Sequence, residues 1–210
     1  MLALASSLPA LAQNRDRHGP PDTEAYIAQL LRADRLEMLQ PERVIAKLAL
    51  PEDAVVADLG CGPGVFALPL GQHLKRGMVY AVDVEPRQLD ALRGRLEAEG
   101  VTNVVPVLAS YSNPHLPPGR VDLVLVVDTY HHIDDRAQYF RGLRAALRPG
   151  ARLVLLEYEP GDLPVGPPAS HKVPTEKRMA ELREAGYELE ESFDSIRYHD
   201  FEVWSASGSR

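Results

Sequence analysis

The chain has 210 residues, of which 30 are acidic and 23 basic, for a formal charge of −7; that length suits one globular domain with a full core. A composition of 45% hydrophobic and 25% charged residues excludes a disordered acidic tail, a collagen and a coiled coil. The lone cysteine, Cys61, excludes an internal disulfide and a Cys-rich zinc module, and the acidic balance without a dense Lys/Arg run argues against nucleic acid and for small molecules as partners.

The chain opens with MLALASSLPALAQ, in which Ala10-Leu11-Ala12 has the form of a signal-peptidase site, although no Lys or Arg precedes it. The segment reads either as the remnant of an export signal, over residues 1–12, or as an unstructured start. It is shorter than the roughly 20 apolar residues that cross a bilayer, and no other run approaches that length, so no membrane association is expected. Three regions follow: a flexible segment at 1–21, N-terminal helices at 22–50 that could form a lid, and a single domain at 51–210.

Helical spacing of Tyr26, Ile27, Leu30 and Leu31 predicts a helix over 23–39, and Pro41 opens a second over 41–49. Apolar runs at 54–60, 78–84, 103–109, 121–128 and 151–159 predict strands, the third weakened by Pro106. Between them lie helical patterns at 66–74, 87–100 and 134–150, the last with an Asp start and a Pro-Gly stop. The run VDLVLVVD suits a strand buried on both faces of a parallel sheet. After Pro160 come a Pro/Gly-rich loop, a helix near 175–185 and two strands, 187–196 and 199–206, with no helix between them, so they must pair antiparallel. The expected fold is α/β: a single doubly wound, mostly parallel seven-stranded sheet, Rossmann-like, with helices on both faces and a C-terminal antiparallel hairpin.

VADLGCGPG carries Asp58, Gly60, Cys61, Gly62 and Gly64 through the turn from the first strand into the first helix of the sheet, and Asp83 ends the second strand. Glycines let a ligand approach the main chain, the helix start offers free N–H groups, and a carboxylate at Asp83 can accept both hydroxyls of a ribose. Gly62-x-Gly64-x-x-Ala67 also satisfies the dinucleotide fingerprint, which keeps an NAD-dependent oxidoreductase open. Against it stand the Gly-x-Gly-x-Gly spacing and Asp58, which would repel a pyrophosphate and pair with a cation.

DLGCGPG, AVDVEP, VDLVLVVDTYHHI and LRPGARLVLLEYEP together resemble the successive motifs of class I S-adenosylmethionine-dependent methyltransferases, over roughly residues 41–206. The resemblance implies that Asp58 and the Gly60–Gly64 turn hold the methionine part of the cofactor, that Asp83 binds the ribose, and that Val84 and Glu85 flank the adenine. Ser110 stands where family members often carry an acidic residue near the adenine. Asp128 would line the sulfonium and the acceptor pocket. Cys61 reads as a packing residue of the turn.

Methyl transfer needs alignment and, for some acceptors, a base. His131 and His132, which follow Asp128 at the carboxyl end of the fourth strand, are the candidate bases, with a packing or cofactor-lining role as the alternative. Asp128, His131, His132 and Asp134 do not converge on one face, so no metal is expected. Glu157, Tyr158 and Glu159 line the acceptor site or belong to a surface loop, and His171 is expected to be exposed. The function implied is methyl transfer to a small-molecule acceptor; a binding module that has lost the transfer activity is the alternative. Cofactor supply favours the cytoplasm, whereas a signal remnant would mean export.

Overall fold

The computed structural model describes residues 23–206; the segment 1–21, with its signal-like Ala10-Leu11-Ala12, lies outside them. Three short helices come first, α1 (Thr23–Leu30), α2 (Ala33–Leu39) and α3 (Pro41–Lys47). Then follow β1 (Val55–Leu59), α4 (Ala67–His73), β2 (Met78–Asp83), α5 (Pro86–Ala98), β3 (Val104–Leu108), β4 (Val121–Val127) and α6 (Arg136–Leu143). The fold ends with β5 (Leu147–Tyr158), α7 (Thr175–Glu184), β6 (Tyr187–Ile196) and β7 (His199–Ala206).

The strands form one seven-stranded sheet in the order β3-β2-β1-β4-β5-β7-β6. β1 to β5 are parallel, and β7 runs antiparallel to both β5 and β6, the expected Rossmann-like sheet with its C-terminal hairpin. Pro106 is tolerated because β3 is an edge strand, paired only with β2. β1 lies between β2 and β4, and at that reversal of strand order the carboxyl ends of β1 and β4 open a crevice.

Successive side chains of a strand face opposite sides, so β4 sends Leu123 and Leu125 into one core and Val124 and Val126 into the other. All four are fully buried, which accounts for the unbroken apolar run. α3, α4 and α5 close the first core through Val44, Leu70 and Leu92, whereas α6 and α7 close the second through Phe140, Leu143 and Leu182. Leu39, Val44, Ile45 and Leu48 are buried in the first core, each contributing about 1.5 to 3 kcal/mol relative to exposure. The N-terminal helices are thereby anchored to the sheet.

Two boundaries differ from expectation. The single helix over 23–39 is two, α1 and α2: Arg32 is extended, with φ −60° and ψ 140°, and its guanidinium holds Asp34 at 2.9 Å. A continuous helix would point residues i and i+2 apart. Pro149-Gly150 do not stop a helix over 134–150 but sit inside β5. α6 ends at Leu143, residues 144–146 make a 3-10 turn, and pairing jumps from Val121↔Leu147 to Leu123↔Arg152. Gly150, at φ 78°, lets the extra residues bulge out. No helix among the described residues is long and apolar enough to cross a membrane.

Candidate active site

The glycine turn is tied down at its start, where the N–H groups of Gly60 and Cys61 both donate to the Val82 carbonyl of β2, at 2.8 and 3.0 Å. Gly60 has φ 74°, and a Cβ there would overlap the Thr129 side chain. Gly62 has φ 53°, and its Cβ would lie 3.3 Å from Leu30 Cδ1 of α1. The turn is therefore approached by the β4 end on one side and by an N-terminal helix on the other. Gly64 leads from it towards α4, and Cys61 is buried, its Sγ against the Gly62 carbonyl and its pKa pushed well up by burial. Such a thiol packs and does not attack.

Two carboxylates serve this turn. Asp83 Oδ2 accepts from Gly62 N at 2.8 Å and Oδ1 from Glu85 N at 2.9 Å, which binds the turn to the end of β2. Burial raises its pKa, and those same N–H donors counteract the rise. Asp58 is only 2% exposed, and burial drives its carboxyl up to about 7, against a hydrogen bond from the Ala67 backbone. Its Oδ2 is sealed from solvent and has no partner among the described residues. An unsatisfied buried carboxylate oxygen is rare, and a cationic N–H donor is the group that would satisfy it.

Val84 is partly exposed beside Asp83. Ala109 N donates to the Asp83 carbonyl, which sets Ser110 next to the end of β2, and Ser110 Oγ itself turns onto the Asn113 carbonyl at 3.3 Å. The crevice is thus edged by Asp58, Asp83, Val84 and the glycine turn, with Ser110 at its β3 side.

Asp128 ends β4 with φ 49°, a conformation that Asp tolerates better than most residues. Its Oδ2 accepts from Arg35 of α2 at 2.7 Å and its Oδ1 from Nε2 of His199 on β7 at 3.0 Å. Burial alone would raise the Asp128 pKa, but His199 and then Arg35 hold it below the usual range. His199 is only 1% exposed, and its Nδ1 faces the Arg197 carbonyl at 2.9 Å. A carbonyl and a carboxylate both accept, so both ring nitrogens donate and His199 is an imidazolium. Burial opposes that charge, yet the net effect of Asp128 and its other neighbours is a raised pKa. The Tyr158 ring packs over it at 4.3 Å.

Next to this cluster, Glu157 of β5 caps the 3-10 turn at 130–132: Oε1 accepts from Thr129 N and Tyr130 N, both at 2.6 Å. Oε2 meets His131 Nδ1 at 2.8 Å. Burial lowers the His131 pKa, but Glu157 outweighs it and the net direction is up. The His132 ring lies 4.1 Å from that of His131. Glu157 and Tyr158 are buried, not parts of a surface loop, whereas His171 is exposed. No group of three His, Cys, Asp or Glu among the described residues is placed to hold a metal ion.

The glycine turn thus meets Asp83 at the end of β2 and Thr129 after β4, and His131 lies near Asp128 on the Glu157 side. Arg35 and His199 carry no motif and were not anticipated, and Tyr26 of α1, its pKa raised by burial close to Arg35, Asp128 and Asp83, is a third such residue.

A sequence model of the methyltransferase-domain family matches residues 56–150. Among curated proteins, the chain is 27% identical over 170 residues to the 27-O-demethylrifamycin SV methyltransferase of Amycolatopsis mediterranei, covering 75% of this chain and 62% of that one. It is 42% identical over 79 residues to the release factor glutamine methyltransferase of Mycolicibacterium smegmatis, covering 36% and 27%. The chain spans about half the length of the curated relatives it matches. Among solved structures, a SAM-dependent methyltransferase from Aquifex aeolicus shares the fold with a TM-score of 0.81 at 23% identity, covering 86% of this chain and 96% of that one.

Proposed function

We propose that the chain is a class I S-adenosylmethionine-dependent methyltransferase, a reading that the methyltransferase-domain match over residues 56–150 supports, and that it transfers a methyl group from that cofactor to a small-molecule acceptor by in-line displacement. The observation that carries the reading is Asp58: a buried, partnerless carboxylate oxygen under a glycine turn suits the ammonium of a methionine moiety, and it would repel the pyrophosphate of a dinucleotide. Asp58, Gly60, Cys61, Gly62 and Gly64 would hold the methionine part, Asp83 the ribose, and Val84 and Ser110 the adenine surround. When bound, S-adenosylmethionine supplies an electrophilic methyl on a sulfonium.

The chain's own residues then have three tasks. Arg35 and Leu30 bring α1 and α2 across the crevice, excluding water and making 22–50 a lid. Asp128 organises the end of β4 between Arg35 and His199. His131, with His132 beside it, faces the reaction as the proton acceptor. Cofactor supply favours the cytoplasm for this work, with export as the alternative if residues 1–12 are a signal remnant. The acidic composition and the absence of a dense basic run support a small acceptor over a nucleic acid.

Calorimetric titration with S-adenosylmethionine and S-adenosylhomocysteine, with NAD as control, tests the reading. Micromolar binding of both sulfur compounds supports it; binding of NAD alone would return the Gly62-x-Gly64-x-x-Ala67 turn to the oxidoreductase reading and overturn this one.

A further inference from the structure

Between β3 and β4 the chain crosses from one parallel strand to the next without a helix over residues 109–120, although such crossovers usually carry one. The β3–β4 connection and α6 instead border a cavity of about 490 Å³, a volume within the range of small-molecule sites. Asp58, Asp83, Asp128 and His131 are not in its lining, so it is separate from the crevice described above. Pro114, Leu116 and Pro118 give it apolar surface, and Tyr111 and Tyr139 give it two aromatic rings.

Tyr139 is only 9% exposed, and its ring is held edge-on to Phe140 at 5.6 Å. Burial alone pushes its phenol up, with no hydrogen bond contributing. The hydroxyl has no hydrogen-bond partner among the described residues, yet it is not one of the sealed, unsatisfied atoms, so it opens into the cavity that Tyr139 lines. A polar group this deeply buried and left unpartnered is rare, and a ligand atom in the cavity would satisfy it. The charge of the lining has one sign: Asp134 and Asp135 belong to it, and no Lys, Arg or His does. Asp135 precedes α6 with φ 43° and makes no side-chain cap on the helix, so the backbone does not consume its carboxylate. The neighbouring cation, Arg136, is turned to Glu181 of α7 at 2.7 Å.

We propose that this cavity is a binding site for an organic ammonium compound with a compact apolar body, an arylalkylamine by class. The ammonium is drawn by Asp134 and Asp135 and by the faces of the tyrosine rings, an N–H of the ligand donates to the Tyr139 hydroxyl, and the apolar body covers Pro114 and Leu116. An anion would meet two carboxylates and no counter-charge, and a neutral body would desolvate them unpaired. The site goes beyond the methyltransferase reading and does not rest on it.

Gly142 of α6 supplies the discriminating variant. It lines the cavity, and a Cβ there meets nothing within 4 Å, so Gly142→Leu fills the space without a clash and replaces a poor helix former. The probe is phenethylamine, with 2-phenylethanol and phenylacetate as neutral and anionic controls, titrated into the 15N-labelled full chain and followed by its amide spectrum. Expected are shifts at Asn113 and Gln138 with a Kd of about 1 mM or tighter, and an affinity about tenfold above that of either control. Gly142→Leu should lower the affinity more than tenfold, and Tyr139→Phe about fivefold to tenfold. Asp135→Asn, which keeps the positive φ, should lower it about threefold to fivefold for phenethylamine alone; it covers the case in which Gly142→Leu does not fold. Absence of binding at 10 mM (roughly tenfold above that Kd), equal affinity for phenylacetate, or unchanged affinity in Gly142→Leu overturns the proposal. Shifts centred on Gly60 and Gly62 overturn it as well, since they put the amine beside Asp58 instead.

Discussion

Asp128→Asn isolates the charge that joins α2, β4 and β7. The substitution keeps volume, and Asn tolerates φ 49° as well as Asp does, so only the electrostatics change. The Asn oxygen can serve either Arg35 or His199, but its NH2 then points at the other donor. Loss of one partner from a fully buried ion pair costs about 3 to 5 kcal/mol. The Arg35 side chain is 17% exposed and that of Asp128 10%, so part of the loss is screened and about 3 kcal/mol is expected near pH 5.5. The pH dependence carries the sharper test. A raised His199 pKa means that the folded protein holds the proton more tightly than the unfolded chain, so its contribution is complete below the ordinary histidine value of about 6.5 and fades as pH climbs through the folded value. A lowered Asp128 pKa contributes above 3.8 and is lost as pH falls through the folded value. The gap between wild type and Asp128→Asn should therefore be widest between about pH 4 and 6.5 and shrink towards pH 9. Urea unfolding, followed by the fluorescence of the single tryptophan, Trp204, measures it. A gap that stays flat from pH 5 to 9 would refute an imidazolium at His199.

Asp83→Ala should weaken S-adenosylmethionine binding by about 1 to 3 kcal/mol, roughly fivefold to 150-fold, because the ribose acceptor is lost and the Gly62 and Glu85 amides lose theirs; calorimetric affinity equal to wild type would sink the assignment. Gly60→Ala forces a Cβ into Thr129 at φ 74°, where the backbone alone costs an L-residue about 1 to 2 kcal/mol. Thermal melting should show a Tm lower by roughly 5 to 10 °C. Arg178 is 1% exposed and holds Asp200 and Glu202, each at 2.6 Å, so Arg178→Met leaves unpaired charge beneath Trp204 and should cost about 3 to 5 kcal/mol in urea unfolding. Adding Glu202→Leu to Arg178→Met is expected to recover part of that loss, and no recovery would argue that Asp200 is the dominant partner.

The parts of the site that were legible in advance are contiguous in sequence. Asp58–Gly64 announces itself because the turn must leave a strand, admit a backbone approach and start a helix within a few residues, and each demand favours a residue type. β4 was legible because both of its faces are buried. Arg35 and His199 were not, since their shared partner Asp128 lies 93 and 71 residues away. His199 did leave a trace: it alternates with Phe201 and Val203, both buried in the first core, and a histidine on the apolar side of a strand asks for a partner. Arg35 left none, because helical periodicity does not record the extended Arg32 that separates α1 from α2. The role of Glu157 depends on the β4–β5 register, which sets Val127 opposite Leu156; composition alone cannot choose between a lining residue and a loop.

The reversal of β7 between β5 and β6 has a consequence for biosynthesis. A nascent chain that has emerged through β5 already owns the glycine turn, the ribose carboxylate and the Glu157 cap, yet Asp128 still lacks His199, which is synthesised much later. Arg35 lies 93 residues from Asp128 and His199 only 71, so the order of synthesis and not loop length sets which contact is available first. Arg35 is therefore the first partner available to Asp128, and it can draw α2 over the crevice while the hairpin is still being made. The ion pair from the early helix acts as a placeholder, and arrival of β7 converts a provisional pocket into a finished one.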